Sequence, residues 1–239
     1  TFDEMIKLLQ TGHALASIEE LRKQGLHRGV FPVLDVALDE AHRHDGREKF
    51  VQLALADTDR RVSEGKPVAP SFMLACMLWH DVLDRWQKLK GAGEPSFAAL
   101  QQAVDAVFDA RIGDISGRGK LAADMREIWL MQPRFERRMG NTVYTLIEQP
   151  RFRAGFDFLR LRADAGETDT ELATWWEDFS LADADERARL IDSVRDRDRE
   201  HPRRSGPVPL EGGEPARKRR RRRRKPAAGG DGSPPEPVP

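Results

Sequence analysis

The segment FMLACMLW, residues 72–79, constrains the fold of this chain more than any other. It follows Pro70, which suits the first turn of a helix because its missing N–H would be unpaired there anyway. Wound as a helix, eight residues with no charged or hydrogen-bonding member except the indole of Trp79 present an apolar surface on every side. Such a helix belongs at the centre of a bundle, with other helices around it. The flanking sequence supplies those helices. Phe2, Met5, Ile6 and Leu9 recur at the spacing of one helix face, and Ala14, Ile18 and Leu21 continue in a second helix that Gly25 stops. Residues 33–41 and 49–62 form further helical candidates. Ser96 is placed to cap another helix, with Phe97, Leu100, Val104, Val107 and Phe108 on its inner side. The three glycines of RIGDISGRG, residues 111–119, mark a loop. Leu121, Met125, Ile128 and Trp129 restart the period until Pro133 kinks or ends it. No strand pattern or internal repeat competes, so the expected fold class is all-α.

Pro150 opens a further helix. At 100° per residue, Phe152, Phe156, Leu159 and Ala163 fall on one narrow stripe, the expected core face. Arg151 and Arg162 lie along one flank of that stripe, Arg153 and Arg160 along the other. Thr168 and Glu171 have capping-box spacing, with Leu172, Trp175, Trp176 and Phe179 facing inward after them. Asp183 with Glu186 opens a last helix, with Ala184, Ala188, Ile191 and Val194 inward. After Glu200 the periodicity ends. Pro, Gly, Glu and Arg dominate residues 201–239, which cannot bury enough apolar surface to fold and are expected to be a disordered basic tail.

The formal net charge is zero, from 40 Lys and Arg against 40 Asp and Glu, but the charge is strongly partitioned. Residues 201–239 hold 11 cations and 4 acids, including the uninterrupted run RKRRRRRRK. Residues 111–162 hold 11 and 6, and residues 163–200 hold 5 and 13. Such asymmetry speaks of partners rather than of fold. No run approaches the roughly 18 apolar residues that span a bilayer, and no basic-then-apolar signal segment opens the chain. A single cysteine, Cys76, excludes a disulfide framework and fits a reducing compartment. The protein is therefore expected in the cytoplasm. Thr1 stands directly inside an amphipathic pattern, as in a chain cut from a longer one.

Candidate RNA-contacting residues are Arg134, Arg137, Arg138, Arg151, Arg153, Arg160 and Arg162, with Arg60, Arg61 and Lys66 as weaker additions. Guanidinium groups spaced along a track pair with phosphates and release condensed counterions, and arginine also stacks on unpaired bases. From the residues alone, a solvated face with internal salt bridges to Glu136, Glu148 and Asp157 is an equally good account. Tyr144, Phe135 and Trp129 have the chemistry of base-stacking platforms, but Trp129 shares an apolar stripe with Met125 and Leu121. The tail residues Arg217, Lys218, Arg219, Arg220, Arg221, Arg222, Arg223, Arg224 and Lys225 would bind any polyanion without sequence choice. The same run also reads as a localisation tag or as a counter-charge that folds back on the acidic residues 163–200. Three Asp-x-Asp pairs, starting at Asp57, Asp183 and Asp196, have carboxylate spacing but lie in helical patterns rather than on a strand. His80-Asp81 lacks further ligands at metal spacing, since His27, His42 and His44 are irregularly placed. Cys76 is expected to be a buried, inert thiol.

The stretch MREIWLMQPRFERRMGNTVYTLIEQPRFRAGFDFLRLRADAGE, residues 125–167, resembles the C-terminal body of bacterial poly(A) polymerases. It carries Ile128-Trp129, the basic cluster of residues 134–140 ending in Gly, Pro150-x-Phe152-Arg153, and the run from Leu159 to Ala163. Trp175-Trp176 with Phe179, LADTDRRV (55–62), PVAPSFMLACMLW (67–79) and the opening FDEMIKLLQTGHALASIEELRKQGL are similar to the same family in the same order. Asn141-Thr142 departs from it, where relatives more often carry basic residues. The resemblance implies a helical neck (1–66), a helical body (67–200) and a basic tail (201–239). It implies binding of single-stranded RNA 3′ ends for ATP-dependent polyadenylation. The family's catalysis resides in a head with a Gly-Ser turn before two metal-binding aspartates on a strand, which this chain lacks. By the same resemblance this chain holds no catalytic residue, metal or cofactor of its own, ATP and magnesium belonging to the head. The chain is expected to be a monomer, inactive alone, with RNA-decay proteins admitted as further partners. The body of a CCA-adding tRNA nucleotidyltransferase and a stand-alone helical adaptor are the competing possibilities.

Overall fold

The computed structural model describes residues 2–26, 46–110 and 119–200. The helix expected over 33–41, most of the glycine loop and the basic tail lie outside the described residues. Those described form ten helices and no strand: α1 (Phe2–Leu9), α2 (Ala14–Lys23), α3 (Arg47–Ser63), α4 (Pro70–Gly91), α5 (Ser96–Ala110), α6 (Gly119–Phe135), α7 (Thr142–Ile147), α8 (Phe152–Ala165), α9 (Thr170–Leu181) and α10 (Ala184–Glu200). The all-α expectation holds.

α4 is the central helix that residues 72–79 required. Met73 through His80 are all buried, followed by Val82 and Trp86. At about 1.5–3 kcal/mol for each large apolar side chain buried, this one helix organises much of the core. It packs against α3, α5 and α6. Two indoles fix those contacts. Trp86 Nε1 donates to the Ser96 carbonyl at 2.8 Å, and Trp129 Nε1 to the Ala75 carbonyl at 3.1 Å. Cys76 is fully buried here, and burial pushes its thiol pKa up. α2 is held by a contact that no local pattern announces. His13 at its N-cap makes no side-chain bond; instead the Ala14 and Leu15 amides donate to the two carboxylate oxygens of Asp59 on α3, at 2.7 and 3.0 Å. The carboxylate pairs the exposed amides of the first turn and opposes the positive end of the helix dipole.

Two apolar clusters share a wall. The first runs from Met5 on α1 to Phe158 and Leu161 on α8. The second is largely aromatic: Phe135, Phe156, Trp175, Trp176 and Phe179, with Leu159, Ala163, Ile191 and Val194. The expected stripe of Phe156, Leu159 and Ala163 faces the second cluster. Phe158 and Leu161, roughly 160° round the helix, face the first. α8 is therefore apolar on two opposed faces with a polar gap on either side. α6 closes one gap so tightly that a Cβ at Gly155 would stand 2.6 Å from Met131 Sδ. The second cluster is pinned by Trp176 Nε1, which donates to the Phe135 carbonyl at 2.7 Å.

Three local expectations change. Asp169, not Thr168, caps α9, its carboxylate accepting from the Glu171 amide. Asp183 caps α10 as expected, at 2.9 Å from the Glu186 amide, but Ala184 and Ala188 are exposed and only Ile191 and Val194 face inward. Phe97 is not an inner residue of α5. Ala99, Leu100, Ala103, Val104 and Val107 make the buried stripe, and Phe97 lies roughly a quarter-turn from its centre, 49% exposed.

Candidate nucleic-acid interface

The fold sorts the candidate arginines into three environments. The first is the closed gap of α8. Arg162 lies there, only 8% exposed. Its Nε donates to Glu167 at 3.4 Å and a terminal nitrogen to Gln132 Oε1 at 3.3 Å, while the guanidinium covers the Trp79 ring at 5.0 Å. Glu167 also accepts from Trp79 Nε1 at 2.9 Å and meets His80 Nε2 at 2.6 Å. Burial pulls the Arg162 pKa down, and Glu167 draws it back up. Burial pushes Glu167 up, but His80, Trp79 and Arg162 together hold it below the usual carboxylate range. The Arg162 guanidinium is therefore an interior ion-pair partner, withdrawn from the RNA-facing set that its sequence flank suggested. Arg151, on the same flank but at the mouth of the gap, pairs with Asp124 at 2.5 Å and approaches Glu127.

The second environment is the open gap of α8, a trough of about 480 Å³ against α3. It brings Arg153 and Arg160 together with Arg60 and Arg61, which were read as separate groups in the sequence. Arg153 and Arg160 both lie over the Phe156 ring, at 5.9 and 5.4 Å. Every one of these cations is answered by a carboxylate. Arg60 pairs with Asp57 and Glu64, Arg160 with Glu177, and Asp157 takes both Arg61 at 3.1 Å and Arg153 at 3.0 Å. Asp57, Asp157, Asp164 and Glu177 line the trough beside the four arginines, so its lining is formally neutral. A smaller pocket of about 250 Å³ continues it toward Arg151 and Phe72. Exposed ion pairs are worth about 0–1 kcal/mol, so phosphates can exchange with these carboxylates, but the trough itself presents no excess charge.

The third environment is the C-terminal end of α6. Arg134 and Arg137 have no ion-pair partner among the described residues. They share a pocket of about 520 Å³ with Ser96, Phe97, Pro133, Glu136 and Thr142. Arg138 turns to the other side, 3.8 Å from Glu171 and over the Trp175 ring at 5.9 Å. Phe97, whose spacing predicts an inner position, instead lines this pocket. Lys66 pairs with Glu64.

The remaining candidates have structural partners. Trp129 and Phe135 are buried, and Tyr144 packs edge-on against Phe179. Asp59 caps α2, Asp57 pairs with Arg60, Asp183 caps α10, and Asp196 pairs with Arg199. His80 faces Glu167 whereas Asp81 pairs with Arg47 at 3.3 Å, so the two do not converge. Among the described residues, no three His, Cys, Asp or Glu side chains are grouped to hold a metal ion. No described helix is long and apolar enough to cross a membrane. His27, His42, His44 and the nine tail cations Arg217–Lys225 lie outside the described residues.

Residues 1–38 match a family described as the probable RNA and SrmB-binding site of polymerase A. Poly(A) polymerase I of Salmonella typhi is 32% identical over 210 residues, 86% of this chain and 45% of that protein. The enzyme of Haemophilus influenzae is 32% identical over 84% of this chain and 44% of its own length, and that of Escherichia coli O6:H1 is 31% identical over 76% and 39%. The chain thus spans less than half the length of these curated relatives. Residues 92–226, more than half of the chain, match the family described as the polymerase A arginine-rich C-terminus, and the chain belongs to that family.

Proposed function

We propose that this chain is the RNA-binding neck and body of a poly(A) polymerase, holding single-stranded RNA 3′ ends for adenylate addition. The arrangement of Arg134 and Arg137 supports this best. Of the nine candidate arginines among the described residues, these two alone have no carboxylate partner. A phosphate reaching them displaces water and counterions, not a competing acid. The α3–α8 trough supplies a second, exchangeable set of guanidinium groups, with residues 1–66 as the neck, 67–200 as the body and 201–239 as a nonspecific tether. Transfer of AMP from ATP, with magnesium, belongs to a head domain that supplies the strand-borne carboxylates two-metal chemistry needs. None of the Asp-x-Asp pairs here lies on a strand, and at least one carboxylate of each is already engaged: Asp57 with Arg60, Asp59 with the amides of α2, Asp183 with the Glu186 amide and Asp196 with Arg199. We place the protein in the cytoplasm as a monomer, and residues 1–38 as the contact for an SrmB-like partner in RNA decay.

Fluorescence anisotropy of the purified chain with a short oligoadenylate, across a salt series, tests the binding directly. Affinity should fall steeply with salt; undetectable or salt-independent binding overturns the proposal. Incubation with ATP, magnesium and an RNA primer should give no tail, and tail addition by this chain would overturn the division of labour.

A further inference from the structure

The pocket at the end of α6 contains a feature that phosphate binding does not use. Phe97 is a half-exposed aromatic ring with no stacking or cation contact among the described residues. The other rings around the second cluster, Phe152, Phe156, Trp175, Trp176 and Phe179, are packed against one another at centroid distances of 4.9–6.2 Å. An exposed ring in a concave site is a ready platform for an unpaired base, because every base offers a π-face.

The platform is held firmly. Phe97 is the second residue of α5, and the carbonyl of Ser96 just before it accepts the Trp86 indole N–H at 2.8 Å. The opposite wall is equally fixed, since the Trp176 indole holds the Phe135 carbonyl between Arg134 and Arg137. Pro133 adds an apolar wall. The first turn of α5 carries no acidic residue, so the positive end of its dipole adds to the two free guanidinium groups. Glu136 is the one carboxylate in the lining among the described residues. The volume of about 520 Å³ falls within the roughly 300–1,000 Å³ typical of small-ligand sites.

We propose that Phe97, Arg134 and Arg137 form a nucleotide subsite in which one unpaired base of single-stranded RNA stacks on Phe97 while its flanking phosphates engage the two arginines. This rests on the RNA-binding function proposed above and adds a base contact to it.

The full chain and its Phe97→Ala and Phe97→Trp variants are titrated with two probes of equal length and charge: an oligoadenylate, and an oligomer whose sugars carry no bases. Phe97→Ala should weaken oligoadenylate binding by about 5- to 100-fold, the range for losing one stacked base. The abasic probe should be unaffected, and Phe97→Trp should restore binding. Circular dichroism and the thermal midpoint check that each variant is folded; Phe97→Trp keeps the test decisive even if the alanine variant is not. Unchanged oligoadenylate affinity in a folded Phe97→Ala variant overturns the base subsite. Equal loss on both probes also overturns it, since stacking cannot act on an abasic strand. If the unaltered chain binds neither probe, the proposed RNA-binding function itself fails; if it binds both probes equally and Phe97 is silent, only the subsite does.

Discussion

α8 and the C-terminal end of α6 are both arginine-rich, and they use arginine in opposite ways. On α8 and at its N-cap every candidate is matched: Arg162 by Glu167 inside the protein, Arg151 by Asp124, Arg153 by Asp157 and Arg160 by Glu177. At the end of α6, Arg134 and Arg137 are unmatched among the described residues. The density of arginine in a motif therefore does not measure its capacity for phosphate. Geometry decides it: α8 is flanked by acid-bearing helices on both sides, whereas in the pocket at the end of α6 Glu136 forms an ion pair with neither Arg134 nor Arg137.

The contrast is broken most severely at Arg162. Arg162→Met should cost about 3–5 kcal/mol, because it strands Glu167 in the interior with one cationic partner fewer. Urea denaturation would show it, with RNA affinity of the folded fraction unchanged. The same network fixes the acid response. Glu167 is held below its ordinary value of 4.5 in the fold. Its contribution to stability is thus complete above that value and is lost as pH falls through the lower folded one. Glu167→Gln should be less stable near neutrality and should show a shallower loss of stability with acid below pH 4.5; an unchanged slope would show that the network does not titrate with the fold. Gly155→Leu sharpens the contrast from the packing side. Its side chain would force Met131 aside and open the gap that encloses Arg162, at a cost of about 1–3 kcal/mol. A thermal midpoint within a degree of the parent would contradict the close approach of α6 and α8.

The central helix and the aromatic second core were legible in the sequence, because residues 72–79 are apolar on every side and Trp175, Trp176 and Phe179 share one helix face; α7 was not, its six residues being too short to show a period. The roles of individual arginines were not. Arg162 lies on a flank of the Phe156 stripe, and only the second apolar face, carried by Phe158 and Leu161, reveals that this flank is closed. Phe97 was assigned inward because it is three residues before Leu100, yet the stripe is centred on Ala103 and Val107 and leaves it at the edge. Asp59 looked like half of a carboxylate pair; its actual partners, the amides of Ala14 and Leu15, are more than 40 residues away and leave no local trace.

Salt-dependent RNA binding compares the two regions directly. The slope of log affinity against log salt is measured for the parent chain, for Arg134→Gln with Arg137→Gln, and for Arg153→Gln with Arg160→Gln. Removing two phosphate contacts to single-stranded RNA should flatten the slope by ~1.4, at roughly 0.7 for each. The α6 pair should show that full change with folding stability within ~0.5 kcal/mol of the parent. The α8 pair should show less than half of it, since its charges are already opposed by Asp157 and Glu177. A larger loss from the α8 pair than from the α6 pair would contradict the assignment of the free arginines as the principal phosphate contacts.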